Sequence, residues 1–176
     1  MTHQNLWAPW RIDYIRQIEA NPPESTTGSG CFLCDAASQK PDPALMRERL
    51  ILLSDERGMI LLNRFPYTNG HLLIAPRDHV ADLTDLTTQQ RHDIMDLTVL
   101  AEKLLRTALN PQGMNVGLNL GRCAGAGLPG HVHVHVLPRW NGDTNFMQTI
   151  GRIRVIPEAL DVSYNNLLTT LQSITA

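Results

Sequence analysis

The chain has 176 residues, of which 43% are hydrophobic, so it is long enough for one domain with a buried core. Its formal net charge is −2, which lacks the basic excess that a nucleic-acid-binding protein shows. No apolar run approaches the roughly 20 residues that span a membrane, and the first residues do not resemble a signal peptide, so we expect a cytoplasmic protein.

The first 30 residues differ in character from the rest of the chain. Residues 6–18 contain aromatic and isoleucine side chains at a spacing that predicts a short helix or a packed arm. Residues 21–30 are rich in Pro, Ser, Thr and Gly, which is typical of a flexible loop. We therefore expect an N-terminal arm and loop at residues 1–30 and a single domain at residues 31–176.

Three short apolar segments, at residues 50–53, 59–62 and 71–75, are typical of β-strands. Turn-forming residues lie between them, at 55–58 and at 65–70. Strands joined by such short connections pair with their neighbours, so the sequence predicts an antiparallel meander.

A long helix is predicted to follow the meander. Thr87 and Gln90 match the capping-box pattern, and apolar residues then recur at helical spacing as far as Ala108. Asn110 and Pro111 end the helix.

The last part of the chain predicts two more strands, at residues 114–120 and 130–138, and a final helix at residues 160–174. The order of elements indicates an α+β fold. We expect an antiparallel sheet of about five strands, with a packed helix and a C-terminal helix on one side of it.

Three histidines alternate with valines in the predicted strand at residues 130–138. Because side chains alternate between the faces of a strand, His131, His133 and His135 share one face. Three neighbouring imidazoles can surround a phosphate or bind a metal ion, but positions along one strand lie nearly in a line, which suits a three-histidine metal site poorly. A central imidazole with a neighbour on each side suits nucleophilic catalysis at phosphorus, and we favour that chemistry.

The glycine-rich loop at residues 121–130 leads into these histidines. Its backbone N–H groups can point at an anion, although such a loop alone is equally typical of a tight surface connection. Next to the histidines, we expect it to cradle phosphate.

The chain has three cysteines, and an odd number argues against a disulfide framework. Cys31 and Cys34 form a C-x-x-C pair, which is typical of a metal site or of a redox pair. No thioredoxin-like pattern surrounds the pair, so metal binding is the favoured interpretation. Cys123 lies in the glycine-rich loop and is expected to be an ordinary small residue.

Residues 130–137 resemble the signature of the histidine-triad superfamily, in which three histidines alternate with apolar residues. Residues 62–71 are similar to the substrate-cleft hairpin of the same superfamily. Further stretches are similar in particular to the bacterial branch that includes diadenosine tetraphosphate phosphorylases: residues 6–11, 115–121 and 135–146. The likeness extends over most of the chain.

The resemblance implies a nucleotide hydrolase or transferase in which His133 attacks the α-phosphorus and forms a nucleotidyl-histidine intermediate. It implies that His135 contacts the phosphate and helps the departing group, while His131 orients the site. Asn63 matches the position that binds the ribose hydroxyls, and Asn119 matches a polar residue that contacts phosphate.

The intermediate would then pass to water or to inorganic phosphate, with no organic cofactor. The resemblance favours a dinucleoside tetraphosphate as the substrate. An adenosine phosphoramidate is the second choice of substrate. The alternative from another functional class is a nucleotide-binding module with little turnover. The resemblance also implies a homodimer whose sheets join edge to edge.

In the metal-bearing branches of the superfamily, two histidines complete a zinc site with the cysteine pair. The corresponding residues are all present here, so the resemblance implies a structural zinc ion held by Cys31, Cys34, His79 and His131. The alternative is a pair of buried thiols with a surface histidine.

Two positions bear on which branch the chain resembles. Gly127 stands where related phosphorylases and hydrolases often carry a hydroxyl or amide side chain, so only its backbone N–H is available to contact the leaving phosphates. Both phosphorolysis and hydrolysis therefore stay open. The third histidine is His135 rather than a glutamine, which argues against the hexose-phosphate nucleotidylyltransferase branch.

Overall fold

Apolar stretches separated by turns form a five-stranded sheet, in which the strands lie in the spatial order 51–55, 58–62, 72–75, 134–139 and 113–118. The computed structural model describes residues 30–38, 42–144, 147, 150 and 155–176. The strands pair antiparallel throughout these residues. They are β1 (Ile51–Asp55), β2 (Gly58–Leu62), β3 (Leu72–Ala75), β4 (Gly113–Leu118) and β5 (Val134–Arg139). The predicted α+β fold with about five antiparallel strands is thus confirmed.

The described helices are α1 (Phe32–Ser38), α2 (Pro43–Glu48), α3 (Thr88–Leu109) and α4 (Leu160–Thr175). The predicted capping box of α3 is confirmed, since the Gln90 backbone N–H donates to the Thr87 hydroxyl and the Thr87 N–H donates to the Gln90 side chain. None of the described helices is both long and apolar enough to cross a membrane.

One face of the sheet packs against the two longest helices. Leu104 of α3 and Leu167 of α4 lie in the same buried cluster as Val132, Val134 and Val136, and all five side chains are at most 6% exposed. The valines between the histidines therefore anchor this segment to the main hydrophobic core.

The opposite face of the sheet is covered near β1 and β2 by α1. Leu33 and Ala36 of α1 pack against Ile51, Met59 and Leu61 in a second, smaller cluster. The two predicted helices, α3 and α4, lie on one side as expected, and α1, which the sequence did not predict, covers part of the other side. Helices α1 and α2 also have no counterpart in the sequence prediction, because helices of seven and six residues are too short to display a repeating apolar stripe.

The histidine segment enters the sheet later than its alternating pattern predicts. Strand β5 begins at Val134, so His131 and His133 precede it. The backbone N–H of Val132 donates to the carbonyl of Val80, which lies in a loop rather than in a neighbouring strand. The alternation of side chains nevertheless persists, with the valines in the core and the histidine rings outside it.

Contacts between Cα atoms divide the chain into two units, Met1–Gly30 and Cys31–Ala176. The helix or arm predicted at residues 6–18 lies outside the described residues. The same holds for the loop predicted at residues 21–30, except for Gly30.

Candidate active site

The ring of His133 is fixed by a nearby backbone group. Its Nδ1 lies 2.8 Å from the carbonyl oxygen of His131. A carbonyl oxygen accepts but does not donate, so Nδ1 carries the proton of the neutral imidazole and donates it in this hydrogen bond. The lone pair is therefore on Nε2, which is the form in which an imidazole attacks an electrophile.

A second hydrogen-bonded chain orients His135. The Tyr67 backbone N–H donates to Nδ1 of His71, 3.2 Å away, so the proton of the neutral His71 ring is on Nε2. That Nε2 lies 2.9 Å from Nδ1 of His135 and donates to it. Neutral His135 then carries its own proton on Nε2. The Asn119 side-chain nitrogen lies 3.3 Å from this Nε2 and cannot accept its proton, so Asn119 accepts it through its oxygen only once the amide is rotated by half a turn.

His135 is neutral in this environment at ordinary pH. Burial, and next the neighbouring His133, lower the pKa of His135 to about 4. The His133 and His135 ring centroids are 4.9 Å apart. The structure thus brings together one imidazole with an Nε2 lone pair and one with an Nε2 proton, which suits attack on phosphorus beside a hydrogen bond to a charged oxygen.

Asn63 lies at the edge of a cavity of about 390 Å³ on the face of the sheet away from α3. Phe32 of α1, Phe65 and Leu73 also line this cavity, which we call the proximal cavity. The Asn63 side-chain oxygen accepts the backbone N–H of Phe65, and its amide nitrogen lies 3.1 Å from Nδ1 of His71. Asn63 therefore connects the proximal cavity to the histidines.

Gly127 lies in an exposed part of the loop between β4 and β5. It is not among the residues that line the proximal cavity. Its predicted contact with the leaving phosphates stays a prediction.

Four potential metal ligands come together beside the histidine segment. Cys31, Cys34, His79 and His131 each offer one ligand atom, and these atoms all lie within 4.8 Å of one another. Two of the sulfur-to-nitrogen distances are 3.3 Å, from Cys31 Sγ to His131 Nδ1, and 3.1 Å, from Cys34 Sγ to His79 Nδ1. A tetrahedral zinc ion with ordinary bond lengths separates such atoms by about 3.5 Å, so the residues fit this ion.

Neighbouring groups also affect the protonation and the orientation of the ligands. Burial, and next the neighbouring Cys31, raise the pKa of the Cys34 thiol to about 11, so a metal ion has to displace the Cys34 proton in order to bind. On the other side of His131, Nε2 lies 3.0 Å from the carbonyl oxygen of Pro76, which fixes the ring with Nδ1 toward the cysteines.

His71 and Tyr67 have a larger part in the site than the sequence indicates. From sequence alone, His71 is at least as well explained by packing as by lining a base pocket. In the structure it is fully buried and bonded to His135, and the Tyr67 ring stacks on His135 with centroids 5.9 Å apart. Only the pairing of β3 with β5 brings these residues together, and no local pattern reveals that pairing.

The comparisons with known proteins agree with this geometry. The HIT domain family matches residues 46–142. The AP-4-A phosphorylase of Mycobacterium tuberculosis is 36% identical over 166 residues, which cover 89% of this chain and 78% of that protein. The bis(5'-adenosyl)-triphosphatase of Dictyostelium discoideum is 29% identical over 97 residues, which cover 55% of this chain and 64% of that protein.

Among solved structures, a zinc-bound histidine triad family protein from Mycobacterium smegmatis superposes with a TM-score of 0.65 at 26% identity. The match covers 82% of this chain and 95% of that one. The fold and the three alternating histidines define a histidine-triad protein. The chain belongs to the HIT domain family. It is an enzyme of the histidine-triad nucleotidyl hydrolase/transferase class.

The low pKa of His135 predicts how stability depends on pH. An unfolded histidine binds a proton near pH 6.5, whereas His135 in the folded chain does so near pH 4. The unfolded state thus holds more protons between these values, and stability falls as the pH is lowered from 6.5 to 4. Because His135 is partly exposed, we expect its share of this loss to be on the order of 1–2 kcal/mol.

Urea unfolding of the purified protein across this pH range measures the effect. His135→Asn should flatten the curve, whereas His92→Asn, at an exposed histidine of α3, should follow the wild type. A His135→Asn curve parallel to that of the wild type would contradict the assignment.

Proposed function

We propose that the chain cleaves a dinucleoside tetraphosphate such as diadenosine tetraphosphate, through a nucleotidyl intermediate on Nε2 of His133. The observation that carries the proposal is the hydrogen bond from Nδ1 of His133 to the carbonyl oxygen of His131. Further support comes from the relatives named AP-4-A phosphorylase and bis(5'-adenosyl)-triphosphatase.

In the first step, the Nε2 lone pair of His133 forms a bond to the α-phosphorus. The bond from that phosphorus to the bridging oxygen breaks, and its electron pair leaves with the departing nucleotide. No proton has to move, because Nδ1 keeps its proton and the positive charge on the ring is stabilised by the His131 carbonyl oxygen.

In the second step, water or inorganic phosphate attacks the same phosphorus. The electron pair of the bond between nitrogen and phosphorus returns to Nε2 of His133, and an attacking water loses its proton to solvent. Using one imidazole for both steps means that the two cosubstrates need not be bound at once.

The state of His135 favours a phosphoanhydride over a phosphoramidate. A neutral imidazole with a low pKa can donate a hydrogen bond from its N–H group. It binds a second proton only weakly, so it is a poor source of a proton for a leaving group. A departing polyphosphate is stable as an anion near neutral pH, since the second pKa of a phosphate is about 6. An amine leaving group must instead be protonated, so the hydrogen bond from His135 Nε2 matches the anhydride better.

Replacing His133 tests this mechanism. His133→Ala should lower turnover of diadenosine tetraphosphate by at least about a thousandfold, because no other group supplies the nucleophile, while nucleotide binding stays measurable. Retained turnover in His133→Ala would contradict the mechanism.

The products identify the reaction of the wild type. ADP and ATP formed only with phosphate present indicate a phosphorylase, and AMP and ATP indicate a hydrolase. Absence of both reactions, with turnover of an adenosine phosphoramidate or with binding alone, would overturn the proposed substrate.

We also propose that Cys31, Cys34, His79 and His131 hold a structural zinc ion. The donor set and the fit of its distances to a tetrahedron support this proposal. The structural similarity to a zinc-bound histidine triad family protein also supports it. Zinc here would tie α1 to the histidine segment and would supply no chemistry to the substrate.

Metal analysis of the purified protein should find about one zinc ion per chain. Cys34→Ser should lose it, whereas Cys123→Ser, which changes an exposed thiol outside the cluster, should retain it. A folded wild-type protein without metal, or equal zinc in both variants, would contradict the proposal.

A homodimer joined through β4 is proposed as the assembly. Strand β4 is at the end of the strand order and pairs only with β5 among the described residues. It exposes Val116 and Leu118, at 54% and 37%, beside backbone groups with which no other described strand pairs.

Light scattering should give the mass of two chains for the wild type. Val116→Lys should give one chain, because it places a charge at the joining edge. A monomeric wild type, or a dimer unaffected by Val116→Lys, would contradict this arrangement.

A further inference from the structure

A second depression lies on the histidine side of the sheet, above β4 and β5. It is a groove of about 210 Å³, lined by Tyr67, His135, Leu137 and residues 115–119. We call it the distal groove. Asn115 and Asn119 are four residues apart, so the groove extends over about 13 Å along the strand.

The register of the sheet relates this groove to the proximal cavity. Leu61 pairs with Leu73, Leu73 pairs with His135, and His135 pairs with Gly117. Directly paired residues point to the same face, so these four positions form a row across one face of the sheet. Leu61 and Leu73 line the proximal cavity, whereas His135 and Gly117 line the distal groove, so His135 stands between the two depressions.

The groove also continues in the direction in which the leaving group departs. His133, the proposed nucleophile, precedes His135 on the chain, and Leu137 follows it, opposite Asn115. A leaving group that moves from His133 toward Leu137 passes the Nε2 proton of His135. It therefore reaches the Asn119 end of the groove first and the Asn115 end afterwards.

The lining of the groove suits an uncharged ring better than a phosphate. Among the described residues, none that lines the groove is a lysine or an arginine. Arg139 bonds to Asn115, but its charge is paired with Asp143. Tyr67 is 44% exposed and lines the groove, where an aromatic ring can contact a base, and the two asparagines supply hydrogen-bonding groups.

We propose that the distal groove is a subsite for the nucleoside of the departing nucleotide. This inference rests on the proposed function, in which the α-phosphorus lies at His133, and it places the first nucleoside in the proximal cavity that Asn63 lines. The subsite recognises the second nucleoside of the substrate and so distinguishes a dinucleoside polyphosphate from a mononucleoside polyphosphate.

Gly117 provides the test, because it is the floor of the groove opposite His135. A Cβ at this position would meet no atom within 4 Å, and its φ is not in the left-handed region, so a side chain fits without strain and fills the groove. Gly117→Leu is compared on diadenosine tetraphosphate and on adenosine 5'-tetraphosphate, which has the same phosphate chain without the second nucleoside.

Gly117→Leu should lower the ratio of kcat/KM for diadenosine tetraphosphate to that for adenosine tetraphosphate by about tenfold, the order expected for losing one stacked base. Gly113→Leu is the matched control, since Gly113 lies on the same strand, has equally open space and does not line the groove. It should leave the ratio unchanged. The mass of each variant in solution is also measured by light scattering, because both positions lie on the strand through which the proposed dimer forms.

An unchanged ratio in Gly117→Leu would overturn the subsite, and so would an equal fall in both variants. If the distal phosphates occupy the groove instead, both substrates lose activity equally and the ratio again stays constant. If the wild type cleaves neither substrate, the proposed function is contradicted while the subsite itself is still testable by binding. The subsite is then judged by calorimetry, where Gly117→Leu must reduce the preference in Kd for the dinucleotide, and an unchanged preference overturns it.

Discussion

The hydrogen bond from Nδ1 of His133 to the carbonyl oxygen of His131 is the contact on which the site depends. It determines which nitrogen of His133 carries a lone pair, because a backbone carbonyl oxygen can only accept a hydrogen bond. The side chain of the same residue, His131, belongs to the Cys/His cluster and is held on its far side by the Pro76 carbonyl. The position of the nucleophile is therefore tied to the cluster through one residue.

The sheet arranges the remaining parts of the site around this contact. Alternation along the histidine segment directs the valines to the α3 and α4 core and the imidazoles to the other face. Cross-strand pairing then places the proximal cavity, His135 and the distal groove in one row. A molecule with a nucleoside on each side of a phosphate chain matches a row of this kind, with the histidines under its phosphates.

Much of this arrangement follows from local sequence. The capping box at Thr87 and Gln90 and the valines between the histidines are short-range patterns, and the structure bears them out. The α1 and α2 helices are too short for such a pattern to show. The bond between His71 and His135 depends on pairing between strands 64 residues apart, which spacing along the chain does not reveal. The two histidines of the Cys/His cluster follow only from the family resemblance, because C-x-x-C alone does not specify its histidine partners.

His133 is held in the Nδ1–H form, with its lone pair on Nε2. Nitrogen NMR of the histidine side chains in the purified protein at neutral pH measures this most directly, with His133→Gln used to assign the signals. We expect His133 to show a protonated Nδ1 and an unprotonated Nε2. A His133 ring protonated on Nε2, or one that exchanges freely between the two forms, would contradict it.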